Sequence, residues 1–179
     1  MNAPSDPVLS RSKRLAFWPT FLMVFVLDFI TKRWAERQLV PMYTPHEVLG
    51  DVVRMTLAFN KDAAMGLSLG EYSRVGFTLI AAAVLVVLGV FYRRTPEGAR
   101  PAAFGLALVA AGALGNLSDR VLFAHGVVDF IDIGIGNARF YTFNVADAAI
   151  TVGAVLLAIL SMKDHREPDA HVAPAQTGQ

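Results

Sequence analysis

Two aspartates in the second half of the sequence lie in apolar surroundings. Asp129 follows Val127 and Val128, and Asp147 opens a long apolar run eighteen residues further on. A carboxylate at or inside the edge of a membrane is costly and is by default a functional hypothesis. Two close carboxylates cannot both ionise cheaply, so such a pair can share one proton and activate water. The pattern therefore predicts acid–base chemistry, provided that the fold brings both aspartates together.

The composition argues against several other kinds of site. The chain has 179 residues and no cysteine, which excludes a thiol nucleophile, disulfides and a cysteine-ligated metal. Its four histidines are scattered and form no helical pair, so we predict neither a metal site nor a cofactor. The net charge of +1 gives no indication of nucleic acid binding.

Four apolar runs indicate an integral membrane protein. Hydrophobic residues make up 54% of the chain and charged residues only 17%, fewer charges than a soluble domain of this length carries. Each run approaches the length of a bilayer-spanning helix. We therefore predict a mainly α-helical membrane protein with four transmembrane helices. The predicted organisation is a disordered segment at 1–12, a membrane-embedded domain at 13–163 with spans at about 15–33, 75–92, 102–118 and 144–162, outer segments at 34–74 and 119–143, and a disordered tail at 164–179.

Basic residues set the predicted orientation of the spans. They precede the first span, fill the link between the second and third, and follow the fourth: Arg11, Lys13, Arg14, then Arg93, Arg94, Arg100, then Lys163 and Arg166. With four spans all three groups fall on one face, which the positive-inside rule assigns to the cytoplasm. Both termini are therefore predicted to be cytoplasmic.

The longer outer segment has the pattern of a β-strand. From Val52 to Asn60 apolar and polar residues alternate, as expected of a half-buried strand, and Arg139–Phe143 is a second extended candidate. We therefore expect a small extracytoplasmic β-sheet region between spans one and two, lying on the outer membrane surface. The extended piece at Arg139–Phe143 could belong to the same sheet.

The polar residues of the predicted spans gather at the outer ends. Those in the spans are Asp28, Lys32, Asn116, Asp119, Arg120, Asn144 and Asp147, while Asn60 and Asp129 belong to the outer segments. A proton or ion pathway would need polar groups through the full depth of the membrane. The pattern instead predicts a polar pocket at one surface and argues against a transporter or channel. A non-catalytic scaffold that binds lipid is a further alternative.

Several of these residues also have an ordinary structural explanation. Asp28 and Lys32 are four residues apart on one helical face and could simply neutralise each other. Asp119 and Arg120 could form an interfacial ion pair. The asparagines could be helix caps, a role that Asn144 suits well because it lies three residues before Asp147.

The two candidate catalytic residues differ in how easily they can be explained otherwise. Asp129 could be an ordinary loop aspartate, and Asp132, three residues later, is its rival. Asp147 is harder to dismiss because it lies in an apolar run with no basic residue within a helical turn.

Five stretches of the sequence resemble the lipoprotein signal peptidases, also called signal peptidase II. They are Asp28-Phe-Ile-Thr-Lys32, Phe59-Asn60 followed by Ala63-Ala64, Gly112-Ala-Leu-Gly-Asn116-Leu-Ser-Asp119-Arg120, Val127-Val-Asp129-Phe130 and Phe143-Asn144-Val-Ala-Asp147. Together they cover residues 28–150, the whole predicted membrane core. One departure follows Asn60, where the family usually has a glycine and an aromatic residue and this chain has Asp62 and Met65.

The resemblance implies an intramembrane aspartic protease of the bacterial inner membrane, with its active site near the outer surface. Such an enzyme removes the signal peptide from diacylglyceryl-modified prolipoproteins by cutting before the lipidated cysteine. The expected partners are this substrate, membrane lipid and cyclic-peptide inhibitors such as globomycin, with a monomer as the expected assembly and no cofactor. By motif, Asp129 and Asp147 match the catalytic positions, Asn60, Asn116, Arg120 and Asn144 match polar residues around them, and Asp28 and Lys32 match the first-span motif.

Overall fold

The computed structural model describes residues 7–61 and 70–164. Across these two ranges it contains four long helices and four short strands. The helices are α1 (Pro7–Gln38), α2 (Ser73–Arg94), α3 (Arg100–Leu122) and α4 (Val145–Asp164), and the strands are β1 (His46–Leu49), β2 (Val53–Asn60), β3 (Val127–Ile135) and β4 (Ala138–Arg139). Each helix is long and apolar enough to cross a membrane. The predicted four-helix membrane architecture is therefore confirmed.

The helices extend beyond their predicted bounds. α1 begins at Pro7 and so includes residues 7–12 of the segment that was predicted to be disordered. A helix can continue past the bilayer because its backbone hydrogen bonds are internal, and proline is tolerated in its first turn. α3 ends at Leu122, so its last turn includes residues predicted to lie in the outer segment. The predicted disorder of residues 1–6 and 165–179, and the departures at Asp62 and Met65, lie outside the described residues.

The third helix is the centre of the bundle. α3 packs against each of the other three helices, and most of its buried positions are alanine or glycine. A Cβ atom added at Gly112 would lie 2.3 Å from the carbonyl oxygen of Ala146 on α4. Small residues on α3 therefore let the helix backbones approach closely, as expected inside a membrane. In contrast, α2 buries only Ser73 and Leu88, so most of its apolar surface is turned away from the bundle.

The sheet draws strands from both segments that were predicted to lie outside the membrane. Its order is β1-β2-β3-β4 and every pairing is antiparallel. The strand predicted at 52–60 is confirmed as β2, whereas β3 was not predicted as a strand. The first four residues of β3 are all buried, so its sequence lacks the alternation that marks a half-exposed strand. The second extended piece is shorter than predicted, comprising β4 and an isolated bridge from Phe143 to Ile131.

A small hydrophobic cluster fixes the sheet on the first helix. Leu57 of β2 and Val128 and Phe130 of β3 pack against Ala35 and Leu39 at the end of α1. β3 is in turn the strand that follows α3 and leads towards α4. The sheet is thereby held at the end of the bundle where α3 ends and α4 begins.

Candidate active site

Asp129 and Asp147 face one cavity at the end of the bundle that carries the sheet. Asp129 lies on β3, paired in register with Ala58 of β2, and Asp147 lies in the first turn of α4. The cavity has a volume of about 840 Å³ and both aspartates line it. Its other polar walls include Asn60, Asn116 and Arg120, and its apolar walls include Phe59, Phe140, Tyr141, Phe143 and Ile150. The fold therefore brings together the two carboxylates that the sequence singles out.

Asn144 connects the two aspartates directly. Its side-chain Nδ2 donates to Oδ1 of Asp129 at 2.7 Å, and its backbone N–H donates to Oδ2 of Asp147 at 3.3 Å. In return, the backbone N–H of Asp147 donates to Oδ1 of Asn144 at 2.9 Å. This reciprocal pair is a capping box, which satisfies backbone groups at the start of α4. One fully buried amide thus both caps the helix and reaches Asp129.

Two further asparagines each contact one carboxylate. Nδ2 of Asn116 donates to Oδ1 of Asp147 at 2.7 Å, and Nδ2 of Asn60 donates to Oδ2 of Asp129 at 3.3 Å. The Asn116 amide is oriented by a residue outside the cavity, since Nζ of Lys32 donates to its Oδ1 at 2.9 Å. The orientation of Asn116 towards Asp147 is therefore set by a buried cation that does not itself line the cavity.

Lys32 lies between two buried carboxylates. Its Nζ is 2.8 Å from Asp28 and 3.0 Å from Asp119, and both Lys32 and Asp28 are only 1% exposed. Asp28 also accepts the backbone N–H of Ala146 at 2.8 Å, next to Asp147 in the chain. The predicted Asp28–Lys32 pair is present, and it also anchors the start of α4. Neither residue lines the cavity.

Asp119 was counted among the polar residues of the predicted pocket, but sequence reasoning assigned it no role beside the two aspartates. Its carboxylate pairs with Lys32 and with Arg33, at 3.0 Å each, so its partners come from α1. Oδ2 of Asp119 also accepts the backbone N–H of Val128 at 3.2 Å, which fixes β3 immediately before Asp129. One signal for it was available, because an acidic residue in the last turn of a helix opposes the helix dipole and needs cationic partners.

Arg120 is a buried cation that lines the same cavity as the two aspartates. It donates from Nη1 to the carbonyl oxygen of Asn116 at 3.3 Å. Its positive charge interacts with the carboxylates of Asp147, Asp129 and Asp119. The guanidinium thus partly balances the negative charge of the two cavity aspartates.

The environment of Asp129 favours its protonated form. Burial, followed by the charge of Asp147, raises the pKa of Asp129 from 3.8 to about 7. Hydrogen bonds from Asn60 and Asn144 and the charge of Lys32 oppose this rise. Because a buried carboxyl beside a second carboxylate resists ionisation, the two aspartates can hold one proton between them at neutral pH.

The rival candidate Asp132 has a different role. It lies three residues after Asp129 on the same strand, so the alternation of a strand points it to the opposite face. Asp132 pairs with Arg139 at 2.6 Å and accepts a hydrogen bond from Thr56, and it does not line the cavity. Its surroundings make it part of the ion pairing that joins β2, β3 and β4.

Comparisons with known proteins identify the family that this chain resembles. A family model described as signal peptidase (SPase) II matches residues 20–163. Proteins named lipoprotein signal peptidase from Pseudomonas paraeruginosa and Pseudomonas putida are 39% and 41% identical over 167 residues, which is 92% of this chain and 98% and 96% of the relatives. A solved structure described as a bacterial membrane enzyme determined by the in meso method matches with a TM-score of 0.75 and 29% identity, and covers 87% of this chain and 92% of that one.

Proposed function

The chain belongs to the signal peptidase II family and is a membrane protease that removes signal peptides from prolipoproteins, and we propose that it does so as an aspartic endopeptidase. We place the cut before a cysteine that already carries diacylglycerol. The observation that carries the proposal is the convergence of Asp129 and Asp147 on one cavity, where a single asparagine contacts both.

The proposed reaction uses one proton shared by the pair. The ionised aspartate accepts a proton from a water molecule as that water attacks the scissile carbonyl carbon. The protonated aspartate donates its proton to the carbonyl oxygen, which gives a tetrahedral intermediate. The aspartate that accepted the water proton then protonates the departing nitrogen as the C–N bond breaks, and a hydroxyl proton of the intermediate returns to the other aspartate, so that two peptide products are released and the pair again holds one proton. The raised pKa of Asp129 supports this scheme, because the pair then keeps a proton at neutral pH.

The surrounding residues are proposed to support the pair. Asn144 holds both carboxylates, Asn116 orients Asp147, and Asn60 orients Asp129. Arg120 balances charge and can bind the substrate backbone. Behind them, Lys32 and Asp28 act on the site only through the residues that they position.

The position of the cavity fits a lipid-anchored substrate. Its walls combine exposed aromatic side chains, Phe140 at 58% and Tyr141 at 61% exposure, with Ile150 and Thr151 of α4. A cysteine anchored by acyl chains would hold the scissile bond at the membrane surface, at the level of the two aspartates. Apolar walls at this depth suit the acyl chains and the hydrophobic signal peptide.

The proposed membrane topology places the site on the outer side. The basic residues Lys13, Arg93, Arg94 and Lys163 lie at helix ends opposite the sheet, and Lys13 contacts the link between α2 and α3. By the positive-inside rule that end is cytoplasmic, so the cavity lies near the periplasmic surface of the inner membrane. One chain supplies both aspartates, which supports a monomer.

A cleavage assay tests the proposal. Purified protein in detergent is given a diacylglyceryl-modified prolipoprotein, and cleavage is followed by gel shift with and without globomycin. Asp129→Asn and Asp147→Asn should fold and fail to cleave, while the wild type cleaves and the inhibitor blocks it. Asp132→Asn is the matched control, because this buried aspartate on the same strand does not line the cavity.

Two results would contradict the proposal. Near-normal turnover by either folded cavity variant would remove that aspartate from the mechanism. A folded wild type that leaves correctly lipidated substrate intact would mean that this chain shares the architecture of the family without its chemistry.

A further inference from the structure

Arg74, at the start of α2, reaches across to the end of α3. Its Nε donates to the carbonyl oxygen of Arg120 at 2.7 Å, and its Nη2 donates to the carbonyl oxygen of Val121 at 3.3 Å. No motif in the sequence singles out this arginine, and it does not line the cavity. Its contacts nevertheless fall on the helical turn that carries one of the cavity residues.

The last turn of α3 needs such partners. The final four carbonyl groups of a helix have no partner within the helix, and leaving them unpaired at a membrane surface is unfavourable. The carbonyl of Asp119 is satisfied by the backbone N–H of Phe123 at 2.9 Å. Arg74 satisfies the next two. A single side chain from another helix therefore satisfies two of the last four carbonyl groups of α3.

The charge of Arg74 supports the same interpretation. A cation in the first turn of a helix opposes that helix's own dipole, so Arg74 does not favour α2. The same cation at the C-terminal end of α3 is favourable. The position of Arg74 thus makes electrostatic sense for α3 and not for the helix to which it belongs.

We infer that Arg74 is a positioning residue for cleavage, which acts by capping α3 so that the last turn holds Arg120 in the cavity and Asp119 against β3. This inference rests on the proposed aspartic mechanism. Arg74 touches no reacting atom, and its effect passes through the backbone of Arg120 and Val121. Without the cap, the Arg120 guanidinium would spend less time beside the two carboxylates.

Hydrogen exchange and kinetics together test this role. Arg74→Ala should speed amide exchange at residues 119–123 and lower kcat by about tenfold, the order expected for losing charged hydrogen bonds, with a smaller change in KM. Arg74→Lys keeps the charge and one donor and should recover part of kcat. Arg93→Ala removes an exposed arginine from the other end of α2 and should match the wild type.

The pH profile separates positioning from a purely structural effect. The charged groups that face Asp129 are Asp147 on α4, Lys32 on α1 and Arg120 on α3. A nearby cation stabilises ionised carboxylates, so withdrawing Arg120 should move both limbs of the pH–rate profile to higher pH. Simple loss of folded enzyme would lower the rate at every pH without moving either limb.

The outcomes distinguish the two proposals. If the wild type does not cleave, the proposed function fails. The hydrogen-exchange experiment at residues 119–123 then tests by itself whether Arg74 caps α3. If the wild type cleaves and Arg74→Ala keeps its kcat, pH profile and exchange rates, the inference is wrong. It is also wrong if activity falls only in proportion to folded protein with an unmoved profile. If Arg74→Ala does not fold, Arg74→Lys must show the same changes to a smaller degree, and its failure to do so refutes the inference.

Discussion

Replacing Asp129 with asparagine should abolish cleavage and yet stabilise the protein at alkaline pH. Asp129 is 4% exposed, and the pKa of its carboxyl is raised from 3.8 to about 7. Between these values the folded state holds the proton more tightly than the unfolded state does. The free energy of unfolding of the wild type therefore falls as the pH rises through this window. Asparagine has no proton to lose, so this part of the pH dependence disappears.

The size of the effect follows from the pKa. The rise is about three units, and each unit corresponds to about 1.36 kcal/mol, so the variant should gain up to about 4 kcal/mol over the wild type by about pH 8. For a protein of this size that is roughly 8–16 °C in Tm. Near pH 4 the difference should be close to zero. Asn60 and Asn144 donate to separate oxygens of Asp129, but a protonated aspartate and an asparagine both keep only one carbonyl acceptor, so this change largely cancels.

Thermal unfolding in one detergent measures the gain. The wild type and Asp129→Asn are compared from about pH 4 to about pH 8 by circular dichroism, beside the cleavage assay. Asp132→Asn is again the control, since it lies on the same strand but would lose its pairing with Arg139. Asp132→Asn should destabilise the protein at neutral pH, an effect opposite in sign to the stabilisation expected of Asp129→Asn. An Asp129→Asn variant whose difference from the wild type does not change with pH would refute the reasoning.

Three further outcomes are expected. The value of kcat/KM for prolipoprotein cleavage should fall as the pH rises above about 7, because Asp129 then loses the proton that the pair needs; a flat profile up to about pH 9 would contradict this. Gly115→Ala should lower Tm and activity because its Cβ would lie 2.5 Å from Oδ2 of Asp28, whereas Gly89→Ala meets nothing within 4 Å and should leave both unchanged. Lys32→Gln leaves Asp28 buried without its cation and should cost about 3–5 kcal/mol, seen as a low yield of folded protein; a wild-type Tm would count against that role.

The membrane architecture could be predicted from the sequence because the bilayer imposes it. A chain that crosses hydrocarbon must satisfy its backbone hydrogen bonds within each segment, so long apolar runs become helices. The same reasoning explains why the scarce polar residues of the spans were informative. Each of Asp28, Lys32, Asn116, Asn144 and Asp147 takes part in a buried or partly buried hydrogen bond or ion pair at the sheet end of the bundle.

The helix ends and the strand that carries Asp129 were less accessible to sequence reasoning. β3 is buried along its first half, so it shows none of the alternation by which β2 was recognised. Asp119 and Arg74 act through contacts with residues on other elements. Their partners lie 9 to 87 residues away in the chain, at distances that no local pattern records.

The sequence alone determined the number of spans, the family and the residues that match the signal peptidase II motifs. It left the choice between Asp129 and Asp132 open on local grounds, since both are acidic residues in the same apolar stretch. The tertiary structure decided which of them faces the cavity. Val128 and Phe130 pack on α1, and β2 pairs Ala58 with Asp129, which together fix the register of β3. In a strand of fixed register alternate side chains point to opposite faces, so Asp129 meets Asn144 and Asp132 meets Arg139.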